Sequence, residues 1–224
     1  MEKLGDRLWR VQGAIPGMTL RRTMTVARCT DGGLAIHSAI ALDDAGMREI
    51  EAWGPPRHLL VPNAFHRMDA SAFKARYPDL RVYTPRGGRA KVEKRIAVDG
   101  VYEDFPADDA VRVYTVPGTG EREGAMLVRG HDGVSVILND IVMNMDRKRD
   151  VLGFLFTTLM GSAPGPRVSR LTRLALVKDR LKVKEELQRL AALPDLARLI
   201  VSHEKVVTGR SEASQALHQA AAFL

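Results

Sequence analysis

An α/β protein, built as two mixed β-sheets packed together with helices outside, is what this 224-residue sequence predicts. Three observations carry the prediction. Strand-like segments dominate the first two thirds, helical periodicity dominates the last third, and a βαβ unit is followed directly by a run of short strands.

The segments "DRLWRVQG", "TMTVARC" and "GLAIHSAI" read as strands, the second and third joined through Asp31-Gly32-Gly33, a hairpin signal. A helix is predicted over Asp43 to Trp53, with Asp43 or Asp44 near its N-cap. Strand 57–61, a helix from Asp69 to Tyr77 and strand 80–85 then form one βαβ unit. "RIAVDG", "VRVYTVPG", "AMLVRG" and "VSVILND" supply four further strands separated by Gly, Asp and Pro, as in a meander. After Asp140 the pattern turns helical. Val168, Leu171, Leu174, Val177 and Leu181 fall at spacings of three and four, and Pro194 closes the run. Residues 197–203 read as a late strand, and "SEASQALHQAAAFL" as a C-terminal helix capped near Ser211 or Ser214. No repeat, low-complexity tract or linker interrupts the chain, so one domain over 1–224 is expected.

Composition narrows the function classes. With 45% hydrophobic and 27% charged residues the chain is globular, not disordered. One cysteine, Cys29, excludes a disulfide and points to a reducing compartment, the cytoplasm; in a strand-like run without a local signature it reads as a core thiol. The N-terminus lacks the apolar stretch of a secretory signal. Val151 to Met160 is the most apolar run, yet far short of the ~20 residues a bilayer span needs. It is expected to form a buried or interfacial helix.

The net charge of +7 is uneven: from Arg147 to Lys184 ten Lys or Arg face two acids, Asp150 and Asp179. This block either attracts an anionic ligand or forms a solvated helix face. Scarce aromatic residues and the absence of a nucleic-acid motif favour the solvated face.

Chemistry in α/β proteins collects beyond the carboxyl ends of strands, where apolar runs meet polar residues. "HLLVPNAFH" ends at Asn63 and His66, "VSVILND" at Asn139-Asp140, and "ARLIVSH" at His203-Glu204. Singly these are turn residues, an N-cap and a strand end. Together, His66, Asp140 and His203 are two imidazoles and a carboxylate, a set able to hold a divalent cation such as zinc. The glycine-rich turn 117–124 misses the dinucleotide spacing by one residue and leads into a strand, so it is not a nucleotide loop. Neither a P-loop nor a G-x-S-x-G elbow is present.

In the order of its segments the chain resembles the metallo-β-lactamase superfamily, over roughly residues 7–210. That resemblance implies a four-layer αββα sandwich. The superfamily's H-x-H-x-D-H motif corresponds to Val61-Pro62-Asn63-Ala64-Phe65-His66, its P-G-H turn to Pro117-Gly118-Thr119, its bridging aspartate to Asp140 and its last histidine to His203. Val61, Asn63 and Thr119 thus stand where three histidines would hold a first metal, and Phe65 replaces an aspartate of the second site. The resemblance therefore implies at most one divalent metal (zinc, iron or manganese) on His66, Asp140 and His203, with Asn63 and Glu123 as polar neighbours of the substrate. Activated water would attack an ester, amide or phosphoester. The alternative is a non-catalytic member of the fold, without metal, that binds a small molecule or a protein. An anion-binding protein using Arg147 to Lys184, for instance a phosphoester hydrolase or a nucleic-acid processor, is a third reading, and a homodimer is the expectation from base rates.

Overall fold

A computed structural model describes residues 1–224 and arranges them in two β-sheets. The first is β1 (Glu2–Gly5), β2 (Leu8–Ile15), β3 (Met18–Arg28), β4 (Leu34–His37), β5 (Pro56–Leu60), β6 (Arg81–Thr84) and β7 (Gly100–Val101), in that spatial order. Its first four strands are antiparallel, whereas β4 to β7 run parallel. The second sheet is ordered β12 (Val207–Thr208), β11 (Leu196–Ile200), β10 (Gly133–Leu138), β9 (Gly124–Gly130) and β8 (Val111–Thr115), with only β10 and β11 parallel.

The alternation along the central strands produces the layering. In β5 and the turn after it, Leu59 and Val61 pack outward with Met47 and Ile50 of helix α1 (Asp44–Trp53) and Phe73 of α2 (Ala70–Arg76), while Leu60 points inward. In β10, Val136 and Leu138 face Val183, Leu187 and Leu190 of α6 (Arg180–Ala191) and Leu217 of α7 (Arg210–Ala221), while Ile137 points inward. Leu60, Tyr83, Met126, Val128, Ile137 and Ile200 meet between the sheets. Strands covered on both faces read as continuous apolar runs. The order helix, sheet, sheet, helix is the expected four-layer sandwich.

Several elements differ from expectation. "RIAVDG" is not a strand: Ile96 and Val98 anchor an irregular segment in the outer core, and Asp99 Oδ2 accepts the β6 Val82 N–H at 2.7 Å, leaving only β7 to pair. The late helical stretch is two helices, α5 (Arg170–Ala175) and α6, each with its own cap. Ser169 accepts from the Thr172 N–H and Asp179 from the Lys182 N–H. Lys178 and Asp179 both donate backbone N–H groups to the Gly118 carbonyl, and this contact fixes the break. Gly118 has φ +82° and a Cβ there would lie 2.5 Å from the Asp179 carbonyl, so only glycine fits. As a result Leu171, Leu174 and Leu181 are exposed, not core. The C-terminal helix begins at Gly209 without a serine cap, and Ser214 instead donates to the Ala191 carbonyl. Short elements unread in the sequence are β1, β12 and α3 (Arg89–Val92).

The run at 151–160 lies at the surface. It begins as α4 (Val151–Phe154), capped by Asp150, and widens into a π-type turn in which the Met160 N–H reaches the Leu155 carbonyl. Most of its large side chains face out, Val151 with 84% of its surface exposed. No helix is long and apolar enough to cross a membrane.

Candidate metal centre

Four strand ends converge on one rim. β4 ends at His37 and delivers Ser38; β5 ends at Leu60 and delivers Asn63 and His66; β10 delivers Asp140; β11 delivers Ser202 and His203. Ligand atoms of His66, Asp140 and His203 lie within 4.8 Å of one another. His66 Nε2 is 3.1 Å and His203 Nε2 3.5 Å from Asp140 Oδ1.

The imidazoles are oriented from behind. His203 Nδ1 is 3.0 Å from the Arg21 carbonyl, which only accepts, so this nitrogen carries a proton and Nε2 is the atom turned toward Asp140. His66 Nδ1 is held 2.8 Å from Ser38 Oγ. Ser38 adopts φ +59°, a costly conformation for a non-glycine residue, at the point where its hydroxyl meets this ring. Donor atoms around a tetrahedral cation with bonds of ~2.0–2.2 Å stand about 3.4 Å apart. The separations from the two Nε2 atoms to Asp140 Oδ1 bracket that value, and with all three donor atoms within 4.8 Å of one another the group could hold one divalent ion.

Asp140 is itself clamped. Ser202 Oγ donates to Oδ1 at 3.1 Å, Asn63 Nδ2 to Oδ2 at 2.8 Å, and Thr172 Oγ1 to the backbone carbonyl at 2.9 Å. Asn63 also donates to Glu123 Oε2 at 2.8 Å, while its own Oδ1 accepts the Phe65 and His66 N–H groups and shapes the turn that carries His66. Glu123 reaches this position because Gly124 donates its N–H to the Pro62 carbonyl and Val116 donates to the Glu123 carbonyl, folding the glycine-rich turn beneath β5. Glu123 Oε1 accepts the Ile141 N–H at 3.0 Å.

Two carboxylates joined by one amide cannot share the same charge state cheaply. Burial opposes ionisation of Asp140, but the charge of His66 and hydrogen bonds from His203 and His66 outweigh it and hold Asp140 well below the ordinary carboxylate range. Burial and the charge of Asp140 push Glu123 well above its usual value, against the N–H groups that favour its ionised form. Within the pair Asp140 is the one held toward the anion and Glu123 the one pushed toward the acid form.

Asn63 and Glu123, expected as polar neighbours of the substrate, are placed by the structure behind the cluster. Both are fully buried under Asp140 and neither lines the cavity above it. Cys29 is buried, and burial pushes its thiol up to about 12, so it is a core thiol and no nucleophile.

That cavity measures ≈ 290 Å³, with His66, Asp140 and His203 at its floor and walls that include Met18, Phe65 and Phe156. Ten of its fifteen lining residues are hydrophobic. Its one cation, Arg22, is paired with Asp69. Phe156 packs edge-on against the His203 ring at 5.9 Å between centroids.

No protein-family profile and no curated protein sequence matches the chain. Solved structures do. A metallo-β-lactamase from Pontibacter korlensis aligns at TM-score 0.63 and 10% identity over 99% of this chain and 98% of that one. A second, from Erythrobacter litoralis with β-mercaptoethanol in its active site, aligns at TM-score 0.65 and 15% identity over 100% and 96%. The DIM-1 metallo-β-lactamase, exposed to ceftazidime, aligns at 0.63 and 12% over 99% and 95%. This chain has the metallo-β-lactamase fold.

Within that fold, the three positions matched to the first metal's histidines are sealed: Val61, Asn63 and Thr119 are buried and none offers an imidazole. Thr119 Oγ1 turns back onto the Val116 carbonyl at 2.7 Å, and the Asn63 amide fills the gap between two carboxylates. Phe65, at the position of the second site's aspartate, lines the cavity with 64% of its surface exposed and offers no ligand atom.

Sequence reasoning missed Ser38, Ser202, Thr172 and the Arg21 carbonyl. Ser38 and Ser202 follow the same signal that flagged the others, a polar residue ending an apolar strand. Thr172 and the Arg21 carbonyl carry no local signal.

Proposed function

We propose that the chain is a mononuclear metal-dependent hydrolase of apolar esters or amides. The observation that carries this reading is the convergence of two oriented Nε2 atoms on an ionised Asp140 at the floor of an apolar cavity. His66, Asp140 and His203 would hold one divalent ion, zinc, iron or manganese, whose Lewis acidity brings water toward a pKa of ~7 and polarises a carbonyl. The chain's residues do the rest. Ser38 and the Arg21 carbonyl fix the imidazole orientations, and Asn63, Ser202 and Thr172 fix the carboxylate, so that no reorganisation is needed during reaction. The apolar wall excludes bulk water and seats the hydrophobic part of the substrate. A phosphoester is disfavoured because the one cation in the cavity, Arg22, is already neutralised by Asp69.

Elemental analysis of protein purified without chelator tests the reading, together with hydrolysis of p-nitrophenyl esters of increasing chain length. About one equivalent of metal is expected in the native chain and close to none in His203→Ala, with ester turnover lost in parallel. A metal-free protein whose stability is unchanged by chelator overturns it, and leaves a binding protein built on the same cavity.

A further inference from the structure

The cavity opens onto an unusually apolar surface. Leu152, Leu155, Phe156 and Leu159 stand at i, i+3, i+4 and i+7, the spacing of a single helical face. Phe156 lines the cavity, and the three leucines beside it are exposed. Leu171 of α5 lines the cavity too, and Leu174, one turn further, is 82% exposed. Phe65 and Met68 add two more exposed apolar side chains at the lining. Exposed apolar area gathered at one opening marks an interaction surface.

Cations sit at both ends of this stripe. Exposed Arg147 and Arg149 immediately precede it, and exposed Arg170 lies against Gly161 at its far end, its Cγ 3.4 Å from where a Cβ would be. None of the three is ion-paired; Lys148 between them is spent on Glu204. The nearby acids are also engaged: Asp146 with Lys205, and Asp150 with the Thr19 hydroxyl and the Gly153 N–H. An apolar strip bounded by free arginines matches the acyl boundary and headgroups of an anionic bilayer. A second copy of the chain matches it poorly, because a two-fold contact in either direction sets arginines against arginines.

We propose that the face formed by Val151–Leu159, Leu171 and Leu174 docks on anionic membrane surfaces, and that the apolar substrate enters the cavity from the lipid. The second half rests on the hydrolase reading; the docking does not.

The test is flotation of the purified chain with vesicles of phosphatidylcholine alone and of phosphatidylcholine mixed with phosphatidylglycerol, at low and high salt, with and without chelator. Binding is expected only with phosphatidylglycerol and is expected to weaken with salt. It should fall on the order of 100-fold when Arg147, Arg149 and Arg170 are changed to Glu, and be lost in Leu155→Asp with Leu159→Asp. Circular dichroism confirms that both variants fold, which is expected because every altered side chain is exposed. Absence of binding to the anionic vesicles, or binding that survives the aspartate substitutions, overturns the proposal. So does a dimer that dissociates in Leu155→Asp, which would assign the face to self-association. Because binding is read on chelated protein as well, failure of the metal reading leaves the docking result standing on its own.

Discussion

At Asn63 a single amide connects two buried carboxyl groups and the turn that carries His66. Asn63→Leu keeps the volume but strands Asp140 and Glu123 without their shared donor. Removing the donor from a buried acceptor costs about 1–3 kcal/mol, and a loss of at least that size is expected in urea unfolding. His37 gives a second prediction at this scale. Burial, with a smaller contribution from the charge of His66, pulls its imidazole down to about 3 from 6.5. Between those values the unfolded chain binds a proton that the folded chain does not, so stability rises with pH by about 1.4 kcal/mol per unit. The full contribution is present above pH 6.5 and is lost as pH falls toward 3. From pH 6.5 to pH 5 the loss from this one group is about 2 kcal/mol, and unfolding curves of the native chain should be steeper in pH than those of His37→Leu by one proton.

At the scale of elements, the break between α5 and α6 decides which leucines remain exposed at the cavity mouth. Its determinants are Gly118 and the Asp179 cap, since a helix running through 176–179 would sacrifice two N–H bonds to the Gly118 carbonyl. Gly118→Ala forces a side chain into a left-handed backbone and against the Asp179 carbonyl. A loss of at least about 1 kcal/mol is expected, whereas Asp179→Ala, which removes the cap and an exposed 3.8 Å contact with Lys182, should cost about 1 kcal/mol. Thermal unfolding of the two variants orders them. The π-type turn after α4 is held similarly by the buried Thr157, whose hydroxyl donates to the Gly153 carbonyl and accepts the Lys148 N–H. This fixes the turn while its leucines point to solvent.

For the whole molecule, the inter-sheet layer supports the site, because the strands that deliver Asn63, Asp140 and His203 bury Leu60, Ile137 and Ile200 between the sheets. Leu60→Ala opens a void in that layer and should cost about 2–5 kcal/mol in urea unfolding. A cation held by His66, Asp140 and His203 would stabilise only the folded chain, in which the three side chains meet. Zinc at a hundred times its dissociation constant should therefore add about 2.7 kcal/mol, seen as a rise in unfolding temperature that Asp140→Ala abolishes.

The sequence by itself determined the layering and picked out the three residues of the candidate metal cluster. Strand periodicity, turn residues and the βαβ pattern are local signals, and polar residues ending apolar strands singled out His66, Asp140 and His203 although 74 residues separate the first two. Only the tertiary structure decided what those side chains do. That Glu123 lies buried beneath Asp140, that Ser38 and the Arg21 carbonyl orient the imidazoles, and that the late helix breaks at Gly118 all depend on contacts between segments distant in sequence. Periodicity likewise placed Leu171, Leu174 and Leu181 in one helical pattern, and it reports only which side chains share a face. Whether anything covers that face is settled by packing.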